Sequence, residues 1–272
     1  MRTTELEGLV TEQNRITSHF LEREVVIDFY VPKNFTKRAA SLLLINDGQD
    51  LSTMNFAGIL NPLLQKRQIQ AVLCVGIHAG DRMNEYGTAN RPDYAGRGYK
   101  ASQYTQFILQ ELLPYIQEKF RIDQFKRKSF AGFSLGGLSA LDIVWNYPQV
   151  FTIAGVFSGS LWWRSKDLND GYNDDTDRIM HQQILNGKYY SHLRFYFTTG
   201  SFDETSDRNN NGVIDSIDDT LDLITELKKK GYKGANKIKY INIEDGYHDV
   251  ATWGRAMPHF LLWAFGWGWG KI

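Results

Sequence analysis

The sequence predicts an α/β fold: a doubly wound, mostly parallel sheet of eight strands with helices on both faces. Three observations carry this. Short apolar runs alternate with longer segments of helical period, the pattern of parallel strands joined by crossover helices. Some of the short runs are apolar at nearly every position, as strands covered on both faces must be. The chain has 272 residues, 42% hydrophobic and 14% aromatic, which is enough for one large core, so a single domain over residues 1–272 is expected.

Taken in order, residues 23–31 read as an early strand, ended by Pro32. Residues 41–46 are a short apolar strand stopped by Asp47-Gly48, 56–68 a helix and 69–77 a buried strand. Residues 101–120 form a long amphipathic helix, with Phe107, Leu109, Leu112, Leu113 and Ile116 at helical spacing. A strand at 127–131 and a helix at 135–146 follow, then a strand at 151–157. Residues 161–190 are irregular, with one short helix, and read as a small insertion or lid. Strands at 193–199 and 237–243 and helices at 219–230 and 252–265 complete the pattern.

Composition excludes several classes. With 31 basic and 31 acidic residues the formal net charge is zero, and no basic stripe suggests a nucleic-acid partner. Cys74 is the only cysteine, so no intrachain disulfide can form, and its apolar setting marks a buried small hydrophobe. The apolar run at 260–267 is too short to span a bilayer. The first seven residues carry no leader pattern. A cytoplasmic location is therefore expected, periplasmic or secreted if a leader has been removed. Oligomeric state leaves no mark in the sequence.

Gly132-Phe133-Ser134-Leu135-Gly136 is a G-x-S-x-G run between a predicted strand and a predicted helix, where a nucleophile elbow belongs. Its small neighbours leave room for a strained serine, and the Leu135 N–H at the helix start can face a developing oxyanion. A serine hydroxyl needs a base. Among His19, His78, His181, His192, His248 and His259, only His248 follows a late strand and a turn after a candidate acid. The acid belongs on the loop after residues 193–199, where Asp203 is the choice and Glu204 the close alternative. The order Ser134, Asp203, His248 suits a triad in which the acid orients the imidazole. A second oxyanion donor is expected from the turn Asp47-Gly48-Gln49-Asp50, at the N–H of Gln49. No H-E-x-x-H spacing suggests zinc. Trp162, Trp163, Tyr86, Tyr94 and Trp253 are candidates for the pocket wall.

Five motifs occur in order: Leu44-Ile45-Asn46-Asp47-Gly48-Gln49, Gly132 to Leu141, Phe157-Ser158-Gly159-Ser160-Leu161-Trp162-Trp163, Gly200 with Asp203, and Gly246-Tyr247-His248-Asp249 with Trp253. In these the chain resembles the esterase D-like "putative esterase" branch of the α/β-hydrolases, and within it the enterochelin (ferric-siderophore) esterase group. The resemblance spans roughly residues 25–265. It implies the α/β-hydrolase fold and hydrolysis of small-molecule carboxylic esters, in some members acyl transfer or release of feruloyl or acetyl groups. It also implies that Arg82 contacts substrate. No cofactor is expected for the chemistry.

The loop after the acid departs from that pattern. Residues 207–218, Asp-Arg-Asn-Asn-Asn-Gly-Val-Ile-Asp-Ser-Ile-Asp, match an EF-hand calcium loop with Asp at its last position. Asp207, Asn209, Asn211 and Asp218 would supply side-chain oxygens, Val213 a carbonyl and Asp215 a bound water. The expectation is a structural calcium ion in an insertion at 205–219 that steadies the acid loop. Two further classes stay open at this point: an acyltransferase on the same triad, and a non-catalytic calcium-dependent binding protein on a hydrolase scaffold.

Overall fold

The structure, a computed structural model, describes residues 3–36 and 40–267. Met1 and Arg2, part of the start read above as leaderless, lie outside them. The strands are β1 (Thr3–Glu5), β2 (Leu9–Ser18), β3 (Arg23–Pro32), β4 (Ser41–Asn46), β5 (Val72–Ile77), β6 (Arg127–Phe133), β7 (Ile153–Phe157), β8 (Arg194–Phe202) and β9 (Ile238–Tyr247). They form one sheet in the order β1-β2-β3-β5-β4-β6-β7-β8-β9. Every neighbouring pair from β5 to β9 is parallel, and β1, β2 and β3 are antiparallel additions.

The described sheet thus has nine strands where about eight are expected and seven can be given ranges from the sequence. The two without a range are β1 and β2. β2 reads Leu-Val-Thr-Glu-Gln-Asn-Arg-Ile-Thr-Ser, with only Leu9, Asn14 and Ser18 buried. It has no period-two apolar face to announce it. Backbone pairing with β3, from Leu9 opposite Pro32 to Ser18 opposite Arg23, holds it instead.

The helices are α1 (Asp50–Thr53), α2 (Phe56–Gln65), α3 (Arg82–Glu85), α4 (Ala101–Gln106), α5 (Leu113–Phe120), α6 (Leu135–Asn146), α7 (Asp174–Asp177), α8 (Ile179–Asn186), α9 (Asp215–Lys230) and α10 (Val250–Phe265). Between α4 and α5 the helix read as continuous widens into a π-helical turn, Phe107–Leu112. Pro114, two residues beyond it, has no N–H to give the carbonyl four residues back, which loosens the ladder there.

Strand alternation sends side chains into two cores. Leu42 and Leu44 of β4 face one core with Tyr104, Phe107, Leu138, Ile184 and Leu223. Leu43 and Ile45 face the other with Phe56, Leu60, Met257 and Phe260. α2 and α10 therefore cover one face, and α4, α5, α6, α8 and α9 the other. Chain order reverses around β4, which has β5 on one side and β6 on the other. In open parallel sheets ligands bind at the carboxyl ends of the strands beside such a switch point. Asp47 leaves β4 there and Ser134 leaves β6.

Candidate active site

Ser134 sits between β6 and α6 with φ 53° and ψ −121°, a region that costs a non-glycine residue about 1–3 kcal/mol. Its surroundings hold it there. Its N–H donates to the Phe157 carbonyl at 2.9 Å, and its own carbonyl accepts from the N–H groups of Gly137 and Ser160 at 3.0 and 3.1 Å. Two glycines make the turn possible. A Cβ on Gly132 would run into the carbonyl of Gly136, and one on Gly136 would stand 2.6 Å from a carboxylate oxygen of Asp47. α6 is buried from Leu135 to Trp145, so the elbow is anchored in the core.

Beneath the elbow lies a polar network that sequence reading did not assign. Asp47, itself at φ 58°, is buried. Its carboxylate accepts two bonds from Arg82, Nε at 2.8 Å and Nη2 at 3.0 Å. Nη2 also donates to the carbonyl of Phe133 at 3.2 Å, one residue before the serine. The Asp47 N–H donates to the Tyr86 hydroxyl at 3.1 Å, and the Tyr104 hydroxyl donates to Asn46 Oδ1 at 2.5 Å. Asn46 Nδ2 closes the path on the Gly136 carbonyl at 2.7 Å. Burial pushes the phenols of Tyr86 and Tyr104 well above their usual range, so both stay neutral. Burial alone would lower the Arg82 guanidinium, but the hydrogen bonds and charge of Asp47 hold it above its ordinary value. Arg82, expected at the substrate, does line the cleft. Nε and Nη2, however, tie the β4 turn to the elbow.

Asp203 and His248 stand on the loops after β8 and β9. Asp203 is buried, and its Oδ1 accepts from Ser158 Oγ at 3.0 Å while Oδ2 accepts from the Gly200 N–H at 2.9 Å. His248 Nδ1 lies 3.8 Å from Asp203 Oδ1. That is longer than a hydrogen bond. Burial raises the Asp203 carboxyl, opposed by the Gly200 N–H, Ser158 and His248. Burial likewise lowers the His248 imidazole below its ordinary 6.5, with Asp203 pulling the other way. Glu204, the alternative acid, is held near the Ser216 N–H, and its carboxyl is raised by burial and by Asp215 and Asp219. It is Asp203 that the fold brings to the histidine.

Ser158, at φ 44°, ties three parts together. It donates to Asp203 and accepts from Trp253 Nε1 at 3.1 Å. The Trp253 ring lies edge-to-face with His248, centroids 5.3 Å apart, and stacks on Phe133 at 5.0 Å. Ser160 Oγ lies 3.2 Å from Ser134 Oγ. The Ser158-Gly159-Ser160 run was legible as a motif, but its service to the acid and the serine was not.

Ser134, Leu135, Asp203, His248, Arg82 and Trp162 line one cleft with a cavity volume of about 390 Å³. Gln49 lines not this cleft but another hollow, with Asp28 and His78, and its side chain accepts from the Ala79 N–H and donates to Asp47. Among the described residues the backbone N–H groups of Gln49 and Leu135 have no acceptor. Trp163 is corrected from substrate wall to core: it is fully buried and its Nε1 donates to Thr88 Oγ1 at 3.1 Å. Of the two adjacent tryptophans, Trp162 is the one that lines the cleft. Tyr86 and Trp253 are buried supports, and Tyr94 belongs to an adjoining hollow.

The 207–218 loop folds on itself. Asp207 Oδ1 and Oδ2 accept the N–H groups of Asn211 and Gly212, and Asn211 Oδ1 accepts that of Val213. Asn209 and Asn211 both donate side-chain N–H to Asp218 Oδ2, at 3.1 and 2.6 Å. Four of the expected ligand side chains thus converge, but only two are carboxylates. Among the described residues no group of three or more His, Cys, Asp or Glu is placed to hold a metal. α9 starts at Asp215, four residues earlier than read, and the Asp215 carboxylate takes the N–H and guanidinium of Arg208 instead of facing the loop. Nor does the acid lean on this loop, since its own anchors are Gly200 and Ser158.

A strained serine between β6 and α6, with an acid and a histidine beyond the ends of β8 and β9, sits on a fold of the α/β-hydrolase type. The chain belongs to the esterase family described as "Putative esterase", whose model matches residues 18–264. It is 22% identical over 222 residues to the uncharacterized protein YjcH of Bacillus subtilis (strain 168), covering 80% of this chain and 84% of that one. It is 25% identical over 146 residues to the uncharacterized protein YbbA of the same organism, covering 50% of this chain and 57% of YbbA. Similar solved structures include the enterobactin esterase FES of Shigella flexneri, with a TM-score of 0.68, 20% identity and coverage of 93% of this chain but 58% of that one. Another is the siderophore hydrolase EstA of Aspergillus nidulans, with a TM-score of 0.68, 16% identity and 93% of each chain covered. At such identities the likeness to solved structures is one of fold. No helix among the described residues is long and apolar enough to cross a membrane.

Proposed function

We propose that the protein is a serine carboxylic-ester hydrolase acting on small-molecule esters as one catalytic unit. The observation that supports this most is the strained Ser134, at φ 53° and ψ −121°, lining one cleft with His248 and Asp203. His248 takes the proton of Ser134 as Oγ attacks the ester carbonyl, and the N–H groups of Leu135 and Gln49 receive the oxyanion. Asp203 orients the imidazole and stabilises its charged form. His248 then protonates the leaving alcohol, and water resolves the acyl-enzyme by the same route. Trp162 and the open side of Arg82 form the cleft wall that substrate meets.

The test is hydrolysis of a short-chain chromogenic ester across pH. The base must be neutral to work, and burial lowers its pKa. Activity should therefore be complete above a midpoint that lies below 6.5 and be lost as pH falls through it. No hydrolysis above buffer, or an acid limb centred well above 6.5, would count against the assignment.

We further propose a structural calcium ion at the 207–218 loop. It rests on the sequence match and on the convergence of Asp207, Asn209, Asn211 and Asp218. Two carboxylates are few for a hard cation, so affinity should fall in the weak range, with a Kd of roughly 10⁻⁴–10⁻³ M. Millimolar calcium should raise Tm, and a chelator should reverse this without changing hydrolysis. An unchanged Tm at 10-fold excess over that range, about 10 mM, would remove the ion from the account.

A further inference from the structure

From a second hollow beside the catalytic cleft we infer that the esters this protein prefers carry an anionic group, a carboxylate or its equivalent, bound by Arg164. The inference rests on the esterase reading and specifies its substrate class. The hollow has a cavity volume of about 280 Å³ and shares two wall residues, Trp162 and Glu204, with the cleft that holds Ser134. It is therefore an extension of that cleft, built from loops at the carboxyl ends of the parallel strands.

Three arginines line it, Arg97, Arg164 and Arg208, and they differ in how their charge is met. Arg97 is paired with the buried carboxylate of Asp93, with Nε at 2.7 Å. Arg208 is shared among Asp174 at 2.7 Å, Asp219 at 2.5 Å and Asp215 at 3.2 Å. Arg164 forms no ion pair among the described residues, and its Nε is buried without an acceptor. Asp167 feels its charge from beyond pairing distance. What holds Arg164 is aromatic: its guanidinium carbon lies 4.8 Å from the centroid of Tyr94 and 5.7 Å from those of Trp162 and Tyr172. Its backbone is pinned by the Tyr94 N–H on its carbonyl at 2.9 Å and by a bridge to Arg178.

Stacking on rings fixes the plane of a guanidinium but uses none of its N–H donors. The rim of donors is left for a planar anion, which it can bind through two parallel bonds. The negative groups of the hollow are already engaged, Asp215 by Arg208 and Glu204 by the Ser216 N–H. An anion on the substrate would thus meet one cation that no carboxylate among the described residues pairs with at contact distance.

The experiment compares kcat/KM for neutral p-nitrophenyl alkanoates with that for p-nitrophenyl half-esters of dicarboxylic acids of increasing chain length. The wild type should prefer the half-ester over its neutral counterpart by about tenfold at one chain length, the gain expected of a charge-assisted pair. Arg164→Gln should bring that ratio close to one. Arg164→Lys, which keeps the charge and loses the planar fork, should restore part of it. Should the variants fail to fold, free dicarboxylates of the favoured length must still compete with half-ester cleavage by the wild type. A wild-type ratio of one or below at every length, or a ratio that survives Arg164→Gln, overturns the inference while the neutral esters are still cleaved. Absence of cleavage of any ester by the wild type would instead sink the esterase reading beneath it.

Discussion

Ser134→Ala and His248→Ala should each lower kcat on a chromogenic ester by about 10⁶, and the double variant no further, because the two groups act as one unit. The serine is inert until its proton leaves, and the imidazole contributes only through that serine. A residual rate of about 10³–10⁴ over water should survive in all three, supplied by the oxyanion donors and binding. Folding should be intact in the serine variant, because among the described residues the side-chain hydrogen bond of Ser134 Oγ is to Ser160 Oγ and the turn is held by backbone bonds. Additive losses would mean that the two residues do not share a proton path.

Asp47→Ala should be the most damaging change outside the reacting groups. It strips the partner from Arg82, whose guanidinium then faces the Phe133 carbonyl without its carboxylate. Removing one member of a buried pair costs about 3–5 kcal/mol. Arg82 is 32% exposed while Asp47 is 1% exposed, so water can reach the orphaned cation and the lower end, about 3 kcal/mol, is expected. For a chain of this size that is a fall in Tm of roughly 6–12 °C. The elbow and the β4 turn also lose their tie, so kcat should drop beyond what stability explains. Arg82→Gln should come close to Asp47→Ala in its cost to stability, since it leaves the buried Asp47 carboxylate without its cation and with the Gln49 amide as its remaining side-chain donor.

How much of this was legible in the sequence follows from where the information resides. The inner parallel strands announce themselves because both faces are buried and nearly every residue is apolar, as in β4 and β5. The elbow announces itself because only glycine fits at Gly132 and Gly136. β2 did not, because an outer antiparallel strand is held by its backbone and leaves its side chains free to be polar. Ser134, the Asp203–Glu204 pair and His248 could be proposed from chain order, each lying on the loop after a parallel strand. The choice between Asp203 and Glu204 could not, since neighbours on one loop differ only in which way the β8 bulge turns them. Trp162 and Trp163 pose the same problem, and there sequence reading counted both. The network through Asp47, Arg82, Tyr86, Tyr104 and Asn46 joins four separate chain segments. No local pattern records such a pairing.

The account turns on Ser134 being a nucleophile. The most direct measurement is reaction of the intact protein with a fluorophosphonate, followed by mass spectrometry of its peptides. One phosphonyl group per chain on the Ser134 peptide is predicted, with loss of ester hydrolysis in step with labelling and little labelling of His248→Ala. A chain that hydrolyses esters yet stays unlabelled at Ser134, or carries the label elsewhere, would contradict it.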